Sequence, residues 1–188
     1  MSFLRYNEDW KSKYLQPGVA SREWGLLVDE PIVNVAHLPL LTPEVCSHFI
    51  EHAERVGKWT TNRHKNYPTH DILLRDIGLY ELWEDIMNEY VHNIAFEFFG
   101  LEGDKWNNMV IEPFIVKYEP RVQPQLSFHF DFAHYSTVLA LNDAYTGGGT
   151  YFWRQKKLVK GKPGDITIHP GEITHKHAAR PVYNCNIL

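Results

Sequence analysis

The chain has 188 residues, 44% of them apolar and 22% charged, with a formal net charge of −4; this is enough for one domain with a substantial core and too little for two. A slightly acidic chain without a Lys/Arg block gives no reason to expect nucleic acid or an anionic membrane surface, and no apolar run approaches the roughly 18–20 residues of a membrane span. The opening MSFLRYNEDW has no secretory apolar segment, and two cysteines, Cys46 and Cys185, are too few for a disulfide scaffold and are not spaced as a metal pair.

To about Leu41 the sequence is irregular, with Pro17-Gly18 and Pro31 as punctuation and one strand-like stretch, PIVNVAHL. Thr42-Pro43-Glu44 then predicts a helix start, with Thr as N-cap, Pro at the first helical position and an acid in the first turn. Val45, Phe49, Ile50, Ala53 and Val56 follow at helical spacing. The polar stretch TTNRHKNYPTHD reads as a loop, because Pro68 disfavours helix before it. A second helix is predicted from about Leu79 to Phe99: Leu82, Ile86, Tyr90 and Ile94 recur every four residues, and Gly100 stands at its end.

From Met109 the periodicity changes. MVIEPFIVKY, STVLALN, GTYFW, KLV and DITIH are short runs rich in β-branched and aromatic residues, separated by EPRVQP, NDAYTGGG, KGKPGD and HPGE. Gly147-Gly148-Gly149 predicts a tight turn, since the Lys-Ser/Thr and helix start of a phosphate cradle are missing. Two helices followed by five or more strands predict an α+β fold, with helices packed on one face of a mainly antiparallel sheet. A jelly-roll barrel suits so many short strands. The expected organisation is a single domain over residues 1–188, with a helical support region to about 108 and a strand core from about 109.

Eleven histidines are a rich supply of metal ligands. In SFHFDFAH, His129 and Asp131 are two apart, so on a strand they share a face and present an imidazole beside a carboxylate. An isolated His-x-Asp is a weak signal; it needs a partner from elsewhere. His169, His175 and His177 lie downstream, and DITIHPGEITHKH reads as strand, Pro-Gly turn, strand, which puts His175 and His177 on one face. Either could close on His129 and Asp131. Two imidazoles and one carboxylate that leave about three positions open are the donor set of non-haem Fe(II) oxygenases, whereas a closed His/Cys zinc site has no vacancies. His134 and His169 read as ordinary hydrogen-bonded or exposed histidines, and His37, His48, His52, His64 and His92 as surface or helix-face residues.

Residues 112–177, from EPFIVKYEPRVQPQLSFHFD through LALNDAYTGGGTYFWR to KPGDITIHPGEITHKH, resemble the catalytic domain of the procollagen lysyl hydroxylases. That family has the same ordered set: Tyr-x-Pro and Gln-Pro-x-Leu before a metal-binding His-x-Asp, then Ala-Leu-Asn, Tyr-x-Gly-Gly-Gly and His-Pro-Gly with Thr-His-x-His. The similarity extends upstream to NEDWKSKYL, Cys46 and GKW…YPTHDI. It implies a double-stranded β-helix (jelly-roll) core that uses Fe(II), 2-oxoglutarate and O₂, supported by ascorbate, to convert peptidyl lysine in collagen-like Gly-X-Lys segments to 5-hydroxylysine. It implies His129, Asp131 and His177 as metal ligands and catalytic residues, and Tyr118, Asn142 and Arg180 as co-substrate contacts. It further implies a homodimer and residence in the lumen of the endoplasmic reticulum. Where the family carries an arginine for the far carboxylate of 2-oxoglutarate, ten residues beyond the distal histidine, this chain has Ile187. Val138 replaces an asparagine, and FDFAHYS replaces smaller hydroxylated residues after the aspartate. Two other readings fit the same residues: a dioxygenase acting on peptidyl proline or another side chain, and a non-catalytic metal- or peptide-binding domain.

Overall fold

The computed structural model describes residues 10–63, 66–100 and 112–185, the side chains of 184 and 185 excepted. His64, Ile187 and the Met109–Ile111 portion of the first expected strand lie outside these residues.

Two short helices, α1 (Trp10–Tyr14) and α2 (Pro17–Ala20), open the described chain. The strand-like PIVNVAHL is a hairpin instead of one strand: β1 (Asp29–Ile32) turns through Val33 and Asn34 into β2 (Val35–Pro39). Asn34 takes a left-handed conformation (φ 61°), which asparagine tolerates better than most residues, and its N–H donates to Glu30 Oε1 at 2.8 Å.

Helix α3 (Pro43–Val56) agrees with the sequence expectation and ends at Gly57, whose N–H donates to Ala53 O at 2.9 Å from a φ of 65°. The expected capping bond from Thr42 is replaced by one from its hydroxyl to Lys13 O at 3.3 Å. Cys46 is buried on the inner side of α3, where burial pushes its thiol up to about 12.

The expected second helix is interrupted. After β3 (Asp71–Leu73) come α4 (Tyr80–Ile86), a π-helical turn over Met87–Val91, and α5 (His92–Phe99). The four-residue spacing accounts for the interruption. On an α-helix each step of four advances about 40° beyond a full turn, so Leu82, Ile86, Tyr90 and Ile94 would drift around the cylinder. The wider π turn takes back part of that drift, and all four side chains are buried.

The remaining strands are β4 (Phe114–Val116), β5 (Leu126–His129), β6 (Tyr135–Leu139), β7 (Tyr145–Gly147), β8 (Thr150–Phe152), β9 (Lys157–Val159), β10 (Asp165–Pro170), β11 (His177–Ala179) and β12 (Val182–Cys185). Every pairing is antiparallel, giving one four-stranded sheet in the order β1-β2-β10-β6, another in the order β5-β11-β8-β9, and the pairs β7-β12 and β3-β4. The fold is therefore mixed α and β with several antiparallel sheets. The turn between β7 and β8 needs its glycines: all three have positive φ, and a Cβ on Gly147 would lie 2.2 Å from Pro181 O.

Residues of the helices, among them Phe49, Ile86 and Ile94, share one apolar core with Leu38 of β2, Tyr135 of β6 and Ile166 and Ile168 of β10. A smaller cluster of Ile32, Val35, Phe152 and Val159 joins the two four-stranded sheets. Strand β10, central in its sheet, is buried from Ile166 to His169, so the polar Thr167 and His169 lie inside although DITIH alternates polar and apolar residues. Near the β3–β4 pair, Asp71 is wholly buried and meets the Arg63 Nε at 2.7 Å and the Thr69 hydroxyl.

Candidate metal centre

Strand β5 supplies His129 and strand β11 supplies His177, and the antiparallel register sets these two residues directly opposite each other. Their rings lie 4.4 Å apart, centroid to centroid. Asp131 lies just past the end of β5 and not on it, a correction to the strand reading of His-x-Asp. It nonetheless reaches both imidazoles: its Oδ1 is 3.3 Å from His129 Nε2 and its Oδ2 is 3.7 Å from His177 Nε2. A backbone bond holds it there, from the Asp131 N–H to Gly171 O at 2.8 Å. Glycine at 171 permits the approach, because a Cβ would stand 2.4 Å from Ala133 O.

Both rings are oriented in the same way. His129 Nδ1 donates to Ser127 O at 2.8 Å, and His177 Nδ1 donates to His175 O at 2.9 Å. A proton on Nδ1 leaves the Nε2 lone pair free, so each ring is held as a ligand by a carbonyl two residues upstream. Burial pushes the Asp131 carboxyl up, but the bond with His129, the charge of His177 and the Ser136 hydroxyl outweigh it and hold the group well below the usual carboxylate range. Burial pulls His177 down. Burial also pulls on His129, but Asp131 and the Ser127 carbonyl leave it above the ordinary imidazole value.

These donors fit a cation. Two ligand atoms about 2.1 Å from an ion and at right angles lie about 3 Å apart, close to the separations found here. Among the described residues, His129, Asp131 and His177 form the one group of three or more such side chains with ligand atoms within 4.8 Å of one another. Two nitrogens and one carboxylate oxygen on one side match the facial arrangement of non-haem iron and not the thiolate-rich sets of structural zinc.

His48 and His52 lie on helix α3, as expected, but several other histidines are placed differently from the sequence expectation. Ile173–His175 is a 3₁₀ turn, and β11 begins only at His177, so strand alternation does not relate the two histidines. His175 Nε2 bonds Val33 O at 3.1 Å while its own carbonyl steadies His177. His169 is hydrogen-bonded, to Pro170 O at 2.9 Å, and wholly buried against Phe152 and His177. His92 is buried too, bonded to the Tyr135 hydroxyl, and not a surface residue. His37 bridges Thr167 Oγ1 and Asp165. Ser136, Gly171 and the carbonyls of Ser127 and His175 are parts of the centre that residue type alone does not reveal; the i−2 spacing of the two carbonyls is their shared signature. Of the expected co-substrate contacts, Tyr118 is half-buried, Asn142 is exposed beyond β6, and Arg180 is exposed with its guanidinium carbon 5.6 Å from the Tyr151 ring centre. Among the described residues, no helix is long and apolar enough to cross a membrane.

No family model matches the chain. It is 29% identical over 189 residues to procollagen-lysine,2-oxoglutarate 5-dioxygenase 2 of Mus musculus, covering 94% of this chain and 25% of that protein. It is 30% identical over 187 residues to the multifunctional procollagen lysine hydroxylase and glycosyltransferase LH3 of Rattus norvegicus, covering 92% and 25%. With procollagen-lysine,2-oxoglutarate 5-dioxygenase 1 of Gallus gallus the identity is 30% over 187 residues, covering 93% and 25%. The chain spans about a quarter of the length of these relatives. Along nearly all of its own length it is homologous to the procollagen-lysine 2-oxoglutarate 5-dioxygenases, over a stretch consistent with their 2-oxoglutarate dioxygenase domain.

Proposed function

We propose that this chain is an Fe(II)- and 2-oxoglutarate-dependent dioxygenase domain that hydroxylates C5 of peptidyl lysine in collagen-like Gly-X-Lys segments. The carrying observation is the convergence of His129, Asp131 and His177, with both Nε2 lone pairs freed by backbone carbonyls. The sheet order β5-β11-β8-β9 facing β2-β10-β6 supports a double-stranded β-helix core for the domain. When bound, the iron and 2-oxoglutarate supply the oxidation, with O₂ consumed, succinate and CO₂ released and ascorbate maintaining the ferrous state.

The chain's own part is to hold and orient. Asp131 would offset part of the ion's charge, and the neutral imidazoles of His129 and His177 would hold it through their Nε2 atoms. Tyr118, Asn142 and Arg180 are the proposed co-substrate contacts. Burial pushes the Tyr118 phenol above its ordinary value, so its hydroxyl keeps a proton to donate to a carboxylate at neutral pH. A homodimer in the lumen of the endoplasmic reticulum, acting on collagen-like peptides, completes the proposal.

Succinate release with Fe(II), 2-oxoglutarate, ascorbate and a Gly-X-Lys peptide tests it, with Asp131→Ala as the control expected to lose both bound iron and turnover. Turnover with a proline-only collagen peptide and none with lysine would transfer the reading to a prolyl or other side-chain target. Iron binding without turnover on any peptide would favour a non-catalytic binding domain.

A further inference from the structure

His169 packs directly behind this site without a role in it. It lies near the end of β10, opposite Ser136 of β6, and Ser136 in turn bonds the Asp131 carboxylate. The ring has no exposed surface. It packs 4.6 Å from the His177 ring and edge-on to Phe152 at 5.2 Å, centroid to centroid. Its Nδ1 meets Pro170 O at 2.9 Å, so the proton resides there and Nε2 carries a lone pair. That Nε2 is buried and has no hydrogen-bond partner among the described residues.

A buried acceptor without a donor destabilises a fold, and an apolar side chain of similar size would avoid the penalty. A donor must therefore come from somewhere, and the neighbours are committed. Phe152 offers only ring carbon. The His177 Nδ1 proton goes to His175 O, and the β10 backbone is engaged with β2 and β6. The metal pocket on the far side of His177 remains. His169 is not among the donors within 4.8 Å of one another, so it is not a fourth ligand at the same point, and a water is the donor small enough to serve a buried polar atom there.

We propose that His169 is a positioning residue of the metal centre, its Nε2 accepting a hydrogen bond from an ordered water at the inner end of the pocket formed by His129, Asp131 and His177. The inference rests on the metal-centre reading above. The water ties β10 to the site and presents an oriented oxygen there, a task that residue shape alone does not perform.

The test uses the full chain with Co(II) as the probe, read by its dissociation constant in titration calorimetry and by its d–d absorption spectrum. His169→Leu removes the acceptor and is expected to weaken Co(II) binding by about 10–100-fold, the usual effect of losing an outer partner, and to shift the spectrum. His169→Gln, whose amide oxygen can accept at similar reach, is expected to restore both toward wild type. If leucine prevents folding, His169→Asn keeps a donor for Pro170 O without the distant acceptor and takes its place. Wild-type affinity and spectrum in the acceptor-less variant would overturn the role of His169. A folded wild type that fails to bind Co(II) would overturn the metal centre itself, and this inference with it.

Discussion

Histidines 175 and 177 are two residues apart and both buried, yet their substitution by alanine should have opposite consequences. His175→Ala removes a side chain whose Nε2 bonds Val33 O at 3.1 Å and ties the 3₁₀ turn to the β1–β2 hairpin. Losing one such bond is worth about 0.5–1.5 kcal/mol, and the space left by a buried ring adds a cavity penalty, so the total is about 2–3 kcal/mol. For a chain of this size that lowers Tm by about 5–10 °C. The carbonyl that holds His177 Nδ1 belongs to the backbone and survives the change. The variant should therefore still gain stability from metal, by about 2.7 kcal/mol at a hundredfold excess over Kd. His177→Ala deletes a ligand and should abolish that gain. Thermal unfolding with and without Co(II) measures both quantities in one series. A His177→Ala protein that keeps its metal-dependent rise in Tm, beside a His175→Ala protein that loses it, would refute the assignment of the distal ligand.

Because His129 is raised above the ordinary imidazole value, metal must displace its proton; calorimetry at mildly acidic pH in two buffers of different ionisation enthalpy should show net proton release on Co(II) binding, and zero release would contradict the pairing with Asp131. In the metal-free protein the sign reverses, since the raised folded-state value stabilises fully below about pH 6.5 and that contribution fades as pH climbs through it. Arg63→Ala should cost about 3–5 kcal/mol in urea unfolding by stranding the wholly buried Asp71, while Co(II) affinity of the folded fraction stays unchanged; a loss below about 1 kcal/mol would mean that Arg63 is dispensable there. Gly171→Ala should weaken Co(II) binding about tenfold with circular dichroism preserved, because the new Cβ would crowd Ala133 O and displace the carbonyl that anchors Asp131; unchanged affinity would show that this anchor is not needed.

Much of the fold was legible because its signals are local. Helix α3 follows from Thr-Pro-Glu at its start and the apolar stripe from Val45 to Val56. The triple glycine reads as a turn because its backbone angles exclude other residues. The family resemblance, carried by motifs in order, is matched by the relatives' identity along the chain. Where local rules failed, distant contacts had taken over. PIVNVAHL is a hairpin because the chain reverses at Val33-Asn34, with Asn34 in a left-handed conformation, and the long-range pairing of β2 with β10 places it in a sheet. The second helix acquired a π turn because a stripe repeating every four residues had to stay against one core.

At the metal centre the division is sharper. The sequence placed an imidazole and a carboxylate two residues apart, but Asp131 lies past the end of β5, and the contact with Gly171 O holds it beside His129. Which downstream histidine joins them is a matter of strand register, and residue type carries no information about it. The pairing of β5 with β11 set His177 opposite His129, and the 3₁₀ turn carried His175 to Val33 instead. The same packing sealed His169 behind the site with one nitrogen unpartnered. A ligand set needs donors from separate strands aimed at one point within a few tenths of an ångström, and only the folded sheets impose that constraint.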